Sequence, residues 1–107
     1  MRVELHPEAG TEMRAAALWH GQRRAGLGDD FIHEVSMSIA RIEQKPELFP
    51  VWPGTHTSSV PIRIVVLDRF PYLIAFESHR DHSVVLAVAP ARRRPRYWLR
   101  RASDALG

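Results

Sequence analysis

Residues 61–89, PIRIVVLDRFPYLIAFESHRDHSVVLAVA, are dominated by β-branched and aromatic side chains. Short polar or proline-containing turns divide this stretch into three runs, residues 61–67, 72–78 and 83–89. Runs of this composition, bounded by turn-forming residues, are typical of β-strands. Because turns this short join neighbouring antiparallel strands, the stretch predicts a three-strand meander.

A short strand and a first helix are predicted at the N-terminus. Val3-Glu4-Leu5-His6 is strand-like, and Pro7 is suited to the first position of a helix. Apolar side chains then recur at helical spacing as far as about Arg24. Gly26-Leu27-Gly28 is expected to form a tight turn that ends this helix.

A second helix is expected to start at Asp29-Asp30, which supply a capping oxygen and negative charge for its N-terminus. Its apolar positions fall at i, i+4, i+8 and i+11: Phe31, Val35, Ile39 and Ile42. They form one continuous stripe until Pro46 prevents further helix. The two helices therefore form a hairpin with one apolar side, which we expect to pack against the meander.

The segment between Pro46 and Pro61 carries four prolines and is expected to be an irregular loop. The order strand, helix, helix, strand, strand, strand predicts an α+β fold, with the helical hairpin on one face of a mostly antiparallel sheet. At 107 residues, the chain is expected to be a single domain, residues 1–107.

The composition limits the classes of function. The 45% hydrophobic and 25% charged residues are ordinary for a globular domain. The sequence has no cysteine, which excludes disulfides and thiolate zinc sites. The apolar run at residues 64–67 is too short to cross a bilayer, and the N-terminus lacks the layout of a signal peptide. A cytoplasmic protein without membrane contact is expected.

Charge is distributed unevenly along the chain. Residues 1–91 carry nine basic and eleven acidic side chains, whereas residues 92–107 carry six arginines and one aspartate, a balance of +5. Pro95, Tyr97 and Trp98 lie among these arginines and add a stiff backbone and stacking surface. This basic segment is a candidate for binding an anionic partner. The alternative is that it is a solvated end that keeps a small domain soluble.

Six motifs, in order and spacing over residues 3–98, resemble the RelE/ParE family of bacterial toxin-antitoxin toxins, most closely its ParE-like branch. They are His6-Pro7-Glu8-Ala9, Gly26-Leu27-Gly28-Asp29-Asp30-Phe31, Ile39 through Pro46 to Phe49-Pro50, Phe70-Pro71-Tyr72, Ala87-Val88-Ala89 and Arg93-Arg94-Pro95-Arg96-Tyr97-Trp98. The family's fold, a helical hairpin against an antiparallel sheet, agrees with the fold predicted above.

The resemblance implies a toxin of a type II toxin-antitoxin system that arrests growth by binding DNA gyrase, with a role in plasmid stabilization. It also implies a cognate antitoxin whose C-terminal segment wraps the toxin. An acidic segment would complement the basic terminus. The residues expected to bind the target are Arg92, Arg93, Arg94, Arg96, Tyr97 and Trp98.

RelE-like relatives instead cleave mRNA on the ribosome, and this is the alternative function. The residues available for such an endonuclease would be Arg63, Arg92, Arg93 and Tyr97. Many relatives carry histidine after the Ala-Val-Ala run, whereas this chain has Pro90, which has no proton to transfer. Binding to gyrase is therefore favoured over enzymatic activity. A non-toxic relative that acts only as an antitoxin-binding module is a further alternative.

No cofactor is expected, since the sequence contains no Gly-rich phosphate loop, nucleophile elbow or dinucleotide fingerprint. Two of the six histidines, His79 and His82, lie close together in the sequence. Because Arg80 lies between them, a cation site in this turn is unfavourable, and no metal is expected.

Overall fold

The computed structural model describes residues 2–52, 60–92 and 96–102, with the side chain of Arg96 excepted. No helix within these residues has the length and apolar character needed to span a membrane. In chain order the elements are β1 (Arg2–Leu5), α1 (Pro7–Arg23), α2 (Leu27–Gln44), a 3₁₀ turn (Pro46–Leu48), β2 (Ile62–Val66), β3 (Tyr72–Ser78), β4 (His82–Pro90) and α3 (Arg96–Leu99).

The four strands form one sheet in the order β1-β4-β3-β2. The meander predicted from residues 61–89 is confirmed, because β2 pairs antiparallel with β3 and β3 with β4. Strand β1 returns to the far side of β4 and runs parallel to it, with Val3 opposite Ser83 and Leu5 opposite Val85. The predicted α+β fold with a mostly antiparallel sheet is therefore correct.

The helical hairpin differs from the prediction at its turn. Helix α2 begins at Leu27, two residues before the predicted start, so Leu27 and Gly28 belong to the helix and not to the turn. Gly26 precedes it with a φ of 85°, a conformation that glycine adopts at little cost. Asp29 and Asp30 lie in the first turn, where their charge favours the positive helix end, but they do not form the cap.

A first core lies between the hairpin and the sheet. Phe31, Val35 and Ile42 of α2 are fully buried there, and Ile39 of the same stripe is partly buried against them. The sheet contributes alternate residues, including Ile74, Phe76 and Val85. The predicted packing of the α2 stripe on the meander is confirmed.

A second core lies on the opposite face of the sheet and was not predicted. Helix α3 and the residues after it cover this face, with Trp98 1% exposed and Ala102 6% exposed. They pack on side chains that alternate with those of the first core, such as Ile62, Ala75 and Leu86. The sheet is therefore covered on both faces.

The start of the predicted loop is more regular than expected. After the 3₁₀ turn, Val51 forms an isolated antiparallel bridge with Arg63 of β2. The Arg63 guanidinium donates a 2.7 Å hydrogen bond from Nη1 to the carbonyl oxygen of Phe49. Arg63 therefore holds the segment after α2 against the edge of the sheet.

Candidate functional site

The residues predicted to bind the target fall into three groups in the structure. Arg92 is exposed just beyond β4, and Tyr97 is partly buried in α3. Arg93, Arg94 and the side chain of Arg96 lie outside the described residues. Trp98 is a core residue, because its side chain is 1% exposed and its ring packs edge-on against that of Trp52, with the ring centroids 6.1 Å apart. The structure therefore assigns Trp98 to supporting α3 and leaves it no surface for a partner.

One arginine of the basic segment is not part of its surface charge. The Arg101 side chain is 9% exposed and forms a bidentate ion pair with Glu12 of α1. Nη1 lies 3.0 Å from Oε1, and Nη2 lies 3.1 Å from Oε2. Burial lowers the pKa of Arg101, but the hydrogen bond and charge of Glu12 outweigh it and leave the pKa raised. The charge of Arg101 is thus balanced inside the molecule.

This ion pair also covers an edge of the sheet. Strand β1 pairs with β4 only as far as Val85, so the following residues of β4 have no strand beside them on that edge. Glu12 accepts a 3.1 Å hydrogen bond from the Val88 N–H, and Arg101 donates one of 2.9 Å to the Leu86 carbonyl. Two side chains therefore satisfy the backbone groups that a further strand would pair with.

An apolar groove lies beside this ion pair, between α1, the end of β4 and α3. Its volume is about 330 Å³. Small side chains of α1 and aromatic rings from three elements line it. We call it the Trp19 groove, and its lining residues are Glu12, Ala15, Ala16, Trp19, Tyr72, Val88, Pro90 and Tyr97. Pro90, at the position where many relatives of the resembled family carry histidine, contributes an apolar ring to this wall.

Trp19 is the most exposed aromatic side chain of this groove, at 50%. The guanidinium carbon of Arg23, one helical turn on, lies 4.2 Å from the centroid of the indole. Arg92 is exposed two residues after Pro90. The groove thus combines an apolar lining with cationic side chains nearby. Sequence reasoning left the role of Trp19 open, although Ala15 and Ala16, four and three residues before it, share its helix face and leave room beside the indole.

Next to Trp19, His20 belongs to the core. It is 7% exposed and lies against the rings of Phe31, Phe70 and Tyr72, with centroids 5.0–5.6 Å away. Burial lowers its pKa, and its Nε2 has no hydrogen-bond partner among the described residues. An imidazole kept neutral behind the groove adds no positive charge to it.

Of the possible endonuclease residues, Arg63 and Tyr97 lie apart in the structure. Arg63 lies on β2, with its guanidinium bound to Phe49, whereas Tyr97 lines the groove beside β4. Strand β3 separates these two strands. Arg92 lies at the end of β4, and Arg93 is outside the described residues.

The histidine pair in the β3–β4 turn is stacked, with ring centroids 4.5 Å apart. His79 contacts Glu77 and His82 contacts Asp81, each through one ring nitrogen. Over residues 2–52, 60–92 and 96–102, no three histidine or acidic side chains converge as a metal site requires.

The structure is similar to a solved chain described as "Chromosomal ParDE TA system from P. aeruginosa", with a TM-score of 0.63. The alignment covers 84% of this chain and 95% of that chain, at 15% sequence identity. No protein-family model matches the sequence. A search of curated proteins also finds no match. At this identity the likeness establishes the fold, and it confirms the ParE-like fold expected from the sequence motifs.

Proposed function

We propose that this chain is the toxin of a type II toxin-antitoxin system, of the ParE type. The observation that carries this proposal is the likeness of fold to a chain of a ParDE system, over nearly the whole length of that chain. Six ParE-like sequence motifs in the same order support it independently. Such a toxin acts in the bacterial cytoplasm and is held inactive by its antitoxin.

The proposed target is DNA gyrase, engaged by binding and not by chemistry on RNA. The support is the character of the residues around the end of β4. Arg92 is exposed, and Arg93 and Arg94 follow it directly in the sequence. Pro90 stands where many relatives of the resembled family carry histidine, which could transfer a proton. Arginine binds anions but scarcely transfers protons at neutral pH. A permanently charged segment is suited to protein docking.

The endonuclease alternative has weaker support. Cleavage through the 2′-hydroxyl of RNA needs a proton acceptor, a proton donor and cations around one phosphate. Arg63, one of the candidate cations, is already hydrogen-bonded to the Phe49 carbonyl. The phenol of Tyr97 lies beside a different strand, so among the described residues Arg63 and Tyr97 do not share one site.

The target can be tested with purified protein. We expect the chain to inhibit gyrase supercoiling, or to trap gyrase-cleaved DNA, and to leave ribosome-bound mRNA intact. Replacing Arg93 and Arg94 together by alanine should abolish the inhibition without unfolding the domain, because charged surface groups contribute little to stability and much to docking. The matched control is Arg24→Ala with Arg80→Ala, which removes two exposed arginines elsewhere.

Defined mRNA cleavage that needs ribosomes and disappears in Tyr97→Phe would contradict the gyrase target and favour the endonuclease. Equal loss of gyrase inhibition in the control variant would leave the target standing but contradict the assigned binding segment, because overall charge and not the segment after β4 would then be responsible.

A further inference from the structure

The Trp19 groove is open to water, and its lining is more apolar than polar. Trp19, half exposed, lies in it beside two alanines and the ring of Pro90. Tryptophan and tyrosine supply much of the binding energy at protein interfaces when they close over a partner. The groove has a volume of about 330 Å³, which is sufficient for a bulky side chain.

The covered edge of β4 determines how a partner could enter this groove. A peptide that added a strand here would need the Val88 N–H and the Leu86 carbonyl. Glu12 and Arg101 already bind both groups, and their ion pair is largely buried. The partner must therefore dock through its side chains and not through its backbone.

The charges beside the groove indicate the character of the partner. Arg23 stacks over the exposed indole of Trp19, and Arg92 follows the Pro90 wall. Glu12, which lines the groove, is paired with Arg101 at 3.0 Å, and Arg101 also faces the exposed Glu8 at 3.3 Å. The cations thus remain available to an acidic partner, while the acid that lines the groove already has a partner.

We propose that the Trp19 groove receives one bulky apolar side chain from an acidic segment of the antitoxin, without strand addition. This inference rests on the toxin function proposed above and adds the docking site and the chemistry of its occupant. The guanidinium groups of Arg23 and Arg92 pair with acidic residues that flank the inserted side chain.

The groove can be filled without disturbing the core. Ala15 is exposed and lines the groove, so Ala15→Phe places a ring where the partner's side chain would go. Ala25→Phe makes the same change at an exposed position in the turn between α1 and α2, and it is the matched control. Trp19→Ala removes the main aromatic wall and is the second variant.

The test uses chains of residues 1–107 made by cell-free synthesis and the product of the adjacent reading frame, which the proposed function predicts to be small and acidic. We expect Ala15→Phe and Trp19→Ala to bind that protein at least about 30-fold more weakly than wild type, as loss of a hot spot does. Ala25→Phe should bind like wild type. Thermal melting of each variant confirms that it is folded.

The outcomes separate this inference from the toxin function. If the neighbour binds wild type, and both groove variants bind it equally well, the groove is not the docking site, although the function stands. If the neighbour does not bind wild type, the toxin-antitoxin function fails.

If the neighbour does not bind wild type, a random peptide library selected on the wild-type chain tests the groove directly. Acidic peptides with one bulky apolar residue, lost in Ala15→Phe, would support it. No enrichment, or peptides insensitive to Ala15→Phe, would overturn it.

Discussion

Two glycines face each other where α1 and α2 cross, and they differ in how much room each has. A Cβ added to Gly28 of α2 would overlap the carbonyl oxygen of Ala17 on α1. A Cβ added to Gly21 of α1 would meet the backbone of Gly28 at 4.0 Å, an ordinary contact. Gly28 therefore sets the close approach of the two helices, and Gly21 does not.

Gly28→Ala is expected to destabilise the domain by about 1–3 kcal/mol, the usual cost of overpacking a close contact. Gly21→Ala, the matched control, should stabilise it by roughly 0.5–1 kcal/mol, because alanine loses less backbone entropy within a helix. Urea unfolding of both variants measures the difference. Equal stability of the two would show that the helices do not approach as closely as described.

Tyr97 and Trp98 show how far single residues could be predicted. Both were expected at the target-binding surface, because aromatic rings beside arginines suit an interface. The phase of α3 directs Trp98 into the second core and leaves Tyr97 at the groove. Composition alone could not separate them, since the direction of each side chain depends on a helix too short to show a periodic pattern.

At the scale of elements, the Glu12–Arg101 ion pair connects three of them. It joins α1 to the residues after α3, and both side chains bind β4. A charged pair so little exposed stabilises the fold only while both partners are present. The contact therefore keeps α3 in place over the second core.

Arg101→Ala should lower the free energy of unfolding by about 3 kcal/mol, because Glu12 would keep a largely buried charge without its partner. Arg100→Ala removes the neighbouring arginine, which is exposed, and should leave stability nearly unchanged. Chemical denaturation of the two variants compares them directly. Similar stabilities would mean that the ion pair does not hold the C-terminal segment.

Which elements could be predicted depends on how local their signals are. Strand β3 and helix α1 lie close to their predicted bounds because alternation, spacing and breakers specify them within a few residues. Helix α3 was missed because it has only four residues, too few to show an apolar period. The parallel pairing of β1 with β4 could not be predicted, since no local pattern identifies a partner 80 residues away.

At the scale of the whole molecule, the proposed antitoxin site and the proposed target site adjoin. Pro90 forms a wall of the Trp19 groove, and the arginines assigned to target binding begin two residues later. An acidic segment seated in the groove would therefore lie near Arg92, the first of those arginines, and compete with the target for it. This adjacency gives a physical reason for neutralisation by binding, without a change of fold.

The most direct test of the toxin function is growth of bacteria that express this chain, alone and together with the product of the adjacent reading frame, which this function predicts to be small and acidic. Expression alone should arrest growth, and co-expression should restore it and yield a soluble complex of the two chains. Harmless expression of the folded chain in a host with sensitive gyrase, or growth arrest that the neighbour does not relieve, would contradict the proposed function.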